Sequence, residues 1–237
     1  MRTFTVSQER FRWNKTRDQS QSELKWWIPL TLTTETARNF SATTPRYWLK
    51  PKDENLTAPL HISSNRWIIF NVQHAGYYRV NYDEGNWLTI TRYLSSKDFL
   101  KIHRANRAAL IDDAFNLARA GYVDYPIAFN LSKYLAQEID YEPWVAAVNN
   151  FKFLNNMLSG TSVQRAFQVS VTIPSSGRKI SIKSLATKHR DTIKIELKLK
   201  LNLKLLEFFV YKFITNYITN FYNFLSTRVS NQLYLID

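Results

Sequence analysis

Up to residue 83, apolar and polar positions alternate. In FTVSQERF, Phe4 and Val6 stand opposite Thr5 and Ser7, and a period of two is what a half-buried strand requires. WWIPLTLTT places Trp27, Ile28, Leu30 and Leu32 before a Thr-rich turn. Pro45, Pro51 and Pro59, with Asp53, Glu54 and Asn55, punctuate the middle as turn and loop signals. In WIIFNVQHAGYYRVNYDEGNW (67–87), Ile68, Phe70 and Val72 share one face, and so do Tyr78, Val80 and Tyr82 beyond a turn at Gly76. This pattern predicts a small β-sandwich over residues 1–83, with the two strands around Gly76 as its last hairpin.

After Asp83 the spacing becomes helical. Leu110, Ala114 and Leu117 form one stripe beside Ile111, Phe115 and Ala118, and Gly121 falls where a C-terminal cap belongs. Asp124 is placed to cap a second helix with Pro126 in its first turn, followed by Ile127, Leu131, Tyr134 and Leu135. Pro143 opens a third through Val145, Val148, Lys152 and Leu154, with Trp144 beside it. Helices of about four turns joined by short links predict antiparallel helical hairpins over residues 84–168. Their wide apolar stripes need neighbours, so the stack reads as a truncated α-solenoid with an open end. The fold class is α+β and multi-domain.

From residue 169 to 237 the pattern changes again. IKIELKLKLNLKL (193–205) alternates strictly, and FFVYKFITNYITNFYNFL after it is built almost wholly of Phe, Tyr, Ile, Thr and Asn. That alternation is about twice the usual strand length, and an uncovered apolar edge of this kind is an aggregation hazard. The pattern assigns this tail no fold. Its residues are those of A/T-rich codons, and it reads as translated intron or out-of-frame sequence. The alternative is a basic amphipathic membrane segment, which the period of two disfavours, since an interfacial helix shows 3.6.

Composition adds bounds. With 237 residues, 45% of them hydrophobic and 15% aromatic, the chain can bury a sizeable core. The absence of cysteine excludes disulfides and thiolate metal sites. The formal charge of +13 would suit nucleic acid or a membrane surface. However, residues 1–169 carry 21 Lys/Arg against 15 Asp/Glu, and residues 170–237 carry 11 against 4, so over half of the excess sits in the tail. The start, MRTFTVSQERFRW, is charged and has no apolar run, which predicts neither signal peptide nor membrane span. The localisation of this chain is left unassigned.

TVSQERF, WWIPLTLTT, WIIFNVQHAGYYRVNYDEGNW, the run HRANRAALIDDAFNLARAGYVDYPIAFNLSKYLAQEIDYEPW and the stretch into NNMLSG together resemble the zinc metallo-aminopeptidase family of the aminopeptidase N type. The motifs occur in the family's order over residues 1–168. The resemblance implies a fragment: the sandwich that follows the catalytic domain, then the first helices of the large C-terminal helical domain. The implied parent activity is release of N-terminal amino acids from peptides, with peptides as partners and a membrane-anchored or extracellular location. A membrane would enter only through the parent's anchor or, secondarily, the tail. The implied cofactor is zinc, held by two His and a Glu, with another Glu polarising the water. Both His come from His-Glu-x-x-His, whose spacing sets them on one helical face. Of His61, His74, His103 and His189, no two are four apart and none precedes a Glu. The family's Gly-Ala-Met-Glu-Asn motif is also missing, the only methionines being Met1 and Met157. No catalytic, cofactor-binding or metal residue is therefore assigned, and the chain alone is expected to be inactive, supplying domains that shape substrate access. The alternatives are a non-catalytic peptide- or partner-binding module, or a basic membrane-surface protein.

Other residues have bland readings. Asp112-Asp113 could be a paired carboxylate site, but an ion pair to an Arg such as Arg107, with one carboxylate solvated, accounts for them. His74 and His103 fall near element ends and read as exposed or hydrogen-bonded. The aromatics near Arg66 and Arg79 would suit a platform for single-stranded nucleic acid, yet they alternate inward as core residues do, so no nucleic acid is expected. Asn14, Asn39 and Asn55 open N-x-Ser/Thr triplets in expected loops or edges and are the candidate glycosylation sites. Asn130 opens another inside an expected helix.

Overall fold

A computed structural model describes residues 2–13, 24–60, 62–63, 65–170, 173–175, 178–180 and 232–235. Its strands are β1 (Arg2–Arg10), β2 (Ile28–Leu30), β3 (Leu32–Thr34), β4 (Tyr47–Leu49), β5 (Leu56–Leu60), β6 (Ile68–Phe70), β7 (Tyr78–Val80), β8 (Ile173–Ser175), β9 (Arg178–Ile180) and β10 (Gln232–Leu235). Five helices are described: α1 (Glu84–Leu94), α2 (Arg104–Arg119), α3 (Tyr125–Ser132), α4 (Tyr141–Met157) and α5 (Gln164–Ser170). The fold is mixed α+β: β1–β7 come first, the helices follow, and β8–β10 come last.

The largest sheet has the order β5-β1-β10-β7, and β2-β4, β3-β6 and β8-β9 are two-stranded. β1 and β5 are antiparallel with Phe4 opposite Ala58, and the alternation of β1 buries Phe4 and Val6. The strands around Gly76 do not form the expected hairpin. β6 pairs with β3, Phe70 opposite Leu32, and β7 pairs with β10, Arg79 opposite Tyr234. The cause lies in the link. Asn71, Gln73 and His74 have φ of 56°, 55° and 55°, the left-handed region that side chains other than glycine seldom adopt. Asn71 holds the turn: its Nδ2 donates to the carbonyls of Gly76 (2.9 Å) and Tyr78 (3.0 Å), and its Oδ1 accepts from Gly76 N–H (2.8 Å). The chain is turned between sheets instead of back along one.

The helices follow local signals. Asp83 caps α1, its Oδ1 accepting from Asn86 N–H at 2.8 Å, and Trp87, Ile90 and Leu94 are its buried stripe. α2 ends as expected at Gly121 (φ 74°), with Tyr122 N–H bonded to Leu117 O and Gly121 N–H to Ala118 O, the pair of bonds of a Schellman cap. α3 is shorter than four turns: eight residues, then a 3₁₀ stretch over Lys133–Gln137. In α4 the buried positions are Pro143, Trp144, Ala147, Phe151 and Leu154, and Val145 is exposed, so the stripe is rotated from the expected one. One hydrophobic cluster runs from Phe4 to Phe167 through both regions. Tyr82, at the end of the β region, meets Trp87 of α1 edge-on at 5.0 Å.

Candidate functional site

The densest polar structure lies where β7 meets α2 and α4. β7 carries Arg79 inward because all three of its residues are buried, and α2 turns Asp113 to the same place. Arg79 Nη1 donates to Asp112 Oδ2 at 2.6 Å and to Asp113 Oδ1 at 2.9 Å, while Val80 N–H donates to Asp113 Oδ2 at 3.0 Å. Asn116 and Asn150, from α2 and α4, donate to Asp112 Oδ1 at 2.9 and 3.0 Å. Desolvation pushes the Asp113 carboxyl up to about 6, against the pull of Arg79 and of the Val80 N–H. Burial works against the Arg79 charge, but the two carboxylates outweigh it and hold the guanidinium protonated. This is an ion-pair and hydrogen-bond network joining elements, and the cavity bordering Asp113, lined by Val80, Tyr82 and Asn106 among others, measures only ≈ 10 Å³.

The partner expected for the Asp pair is therefore corrected. Both carboxylates bind Arg79, and Asp112, with a third of its side chain exposed, is bonded as well. Arg107 serves a second network. Its Nε and Nη2 grip Glu138 at 2.8 and 3.0 Å, Nη2 reaches Asp140 at 2.5 Å and Nη1 reaches the Ile102 carbonyl at 2.5 Å. The side chains of Arg107 and Glu138 are 1% and 0% exposed, so each satisfies the other where water is excluded. Sequence reasoning missed Glu138 and Asp140; their signal was a buried-end position in an acidic loop between two predicted helices.

An open cleft of ≈ 430 Å³ lies between the β3–β4 connection and α1, lined by Glu35, Arg38, Ser63, Arg66, Tyr93 and Asp98 among others. Arg66 is paired with Glu35 at 3.0 Å. The lining holds no His, so Ser63 has no imidazole base there to activate it.

Of the candidate residues, Asn39 and Asn55 are exposed, the first between β3 and β4 and the second just before β5. Asn39 Oδ1 accepts from Ser41 N–H at 3.1 Å. Asn130 is exposed within α3. Asn14 lies outside the described residues, as do His61, His189 and the alternating run 193–205. His103 is the N-cap of α2, its Nδ1 accepting from Ala105 N–H at 3.3 Å, and its ring stacks on Phe40. His74 sits exposed in the β6–β7 turn. Among the described residues, no group of three His, Asp or Glu is arranged to hold a metal ion.

Residues 67–177 match the family described as ERAP1-like C-terminal domain. That match begins at Trp67, before the change of period at Asp83, and runs past residue 168. An aminopeptidase N of Plutella xylostella is 45% identical over 168 residues, 70% of this chain and 17% of that protein. A membrane alanyl aminopeptidase of Heliothis virescens is 36% identical over 66% of this chain and 15% of its own length. An aminopeptidase Ey of Gallus gallus is 38% identical over 58% of this chain and 14% of its own length. The chain thus spans about a sixth of the length of the curated relatives it matches.

Proposed function

The chain is a segment of aminopeptidase N type, and from that premise we propose that it is a non-catalytic part of a zinc aminopeptidase that releases N-terminal residues from peptides. In this reading residues 1–83 are a small sandwich and residues 84–168 are the first hairpins of a helical solenoid. Residues 178–237 stand outside the family match, which ends at residue 177. The two domains wall the chamber in which a catalytic domain meets its peptide, and so set the length and access of the substrate. The observation that supports this best is the network of Arg79 with Asp112 and Asp113. A wall must keep its shape, and a buried network in which Arg79 Nη1 bonds both carboxylates fixes the angle between β7 and the helices. The zinc ligands and the base are assigned to other parts of the longer protein. That protein is membrane-anchored or extracellular, with Asn14, Asn39 and Asn55 as glycan acceptors.

The test is made on the full chain, produced through a secretory pathway and dialysed. It should hydrolyse no amino-acyl chromogenic amide, retain no stoichiometric zinc, and lose mass on treatment with an N-glycosidase. One equivalent of zinc together with hydrolysis overturns the reading of its role, and an unchanged mass overturns the glycan acceptors.

A further inference from the structure

β10 has an unusual place. It is four residues long, lies in the interior of its sheet, and is separated in sequence from the nearest described strand by residues 181–231. It runs parallel to β1, Ser7 to Arg10 opposite Gln232 to Leu235, and antiparallel to β7, Tyr78 to Val80 opposite Leu235 to Leu233. Among the described residues, β7 pairs with no strand except β10. β1 pairs β5 only through Arg2–Val6. Between Ser7–Arg10 and β7 there is therefore a gap one strand wide.

Both walls of that gap are held by bonds that do not involve β10. On the β7 side, Arg79 is held by Asp112 and Asp113, Val80 N–H by Asp113, and Tyr78 Oη donates to Pro29 O at 2.9 Å. On the β1 side, Gln8 Nε2 donates to the carbonyls of Trp26 (3.0 Å) and Lys50 (3.3 Å), and its Oε1 accepts from Trp26 N–H (2.7 Å). The walls are preformed and the occupant is the removable part, as in recognition by strand addition, where main-chain hydrogen bonds supply the binding.

We propose that the gap between β1 and β7 is a strand-acceptor site whose occupant exchanges: Gln232–Leu235 fills it in cis, and the same segment of a second copy fills it in trans. The cis arrangement must close a long connection, and closure entropy rises with the logarithm of length. A second copy's Gln232–Leu235 can make every pairing described for the cis strand. In those pairings the two arrangements differ by effective concentration, and a strand-swapped dimer is the expected product at high protein concentration.

The probe is a labelled synthetic peptide of residues 229–237. The variant is Tyr234→Pro in the full chain, because in an interior strand every N–H points at one neighbour or the other and proline removes one. The variant should bind the peptide at least about tenfold more tightly than the unsubstituted chain, the cis competitor being gone. Amide exchange at Arg79 and within Ser7–Arg10 should rise in the variant and fall again with peptide. A peptide carrying the same proline should not bind. If α2 stays protected in the variant yet these amides are unchanged, or no peptide binds, the proposal fails. The unsubstituted chain gives a second reading should the variant not fold. Its dimer fraction, measured by light scattering, should grow with concentration and revert slowly on dilution, and a monomer at every concentration overturns the exchange.

Discussion

Asp113 is buried, and its carboxyl is pushed from 3.8 up to about 6 chiefly by desolvation, with Asp112 adding to the rise and Arg79, Val80 N–H and His74 opposing it. The folded chain thus holds this proton more tightly than the unfolded chain between those values. Stability contributed by the group is present below about 4 and is lost as pH rises to about 6, by about 3 kcal/mol in all, since each unit is worth about 1.4 kcal/mol. Asp113→Asn removes the titration. Urea midpoints of parent and variant, measured in steps over this window, should differ by an amount that changes with pH. A constant difference means that the carboxyl titrates normally. Sequence inspection finds the Asp112-Asp113 pair and expects an arginine partner, yet it selects Arg107. Five helical positions separate Arg107 from Asp112, about 140° of rotation, so the two face different neighbours. Arg79 lies over thirty positions away on a strand, and only the packing of β7 on α2 brings it there.

The elements that sequence reveals are those with local causes. The α2 stripe and the Gly121 stop are written in spacing and capping chemistry. Strand partners are not, because period two fixes which face is buried and leaves the neighbour open. The β6–β7 link shows this. Gly76 marks a turn in the sequence, but the left-handed residues are Asn71, Gln73 and His74. Gly76 serves another need: a Cβ there would overlap Cε1 of the Tyr78 ring. That ring is buried and its hydroxyl is tied to Pro29 O, so it has no room to swing aside. Gly76→Ala should cost about 1–3 kcal/mol, the range for overpacking, measured by chemical denaturation. An unchanged midpoint would mean that the turn relaxes freely. α3 has a similar lesson. Its apolar residues continue to Leu135, yet the helix gives way to a 3₁₀ stretch that delivers Gln137 to the carbonyls of Leu94 and Ser96 and Glu138 to Arg107. Those demands are tertiary.

At the scale of the molecule, the β region and the helices share one core. Phe70, Tyr82 and Trp87 pack in succession across the change of period, and the Arg79 network bonds the same two regions. Neither region can open without exposing the other's apolar surface. The full chain should therefore unfold in urea with one transition, the helical far-UV signal and the exchange protection of the β1–β5 ladder being lost together. Two separated transitions would show that the halves are independent. The sequence by itself determined the mixed α+β class, the change of period after Asp83, the Gly121 stop of α2 and the kinship with aminopeptidase N, because each depends on residues close together or on motifs in a fixed order. The tertiary structure alone decided that β6 and β7 lie in different sheets, that Arg79 and not Arg107 meets the Asp pair, and that Gln232–Leu235 pairs between β1 and β7. Those contacts join residues far apart in the chain, and their energy comes from burial and from hydrogen bonds completed only when the distant partner arrives.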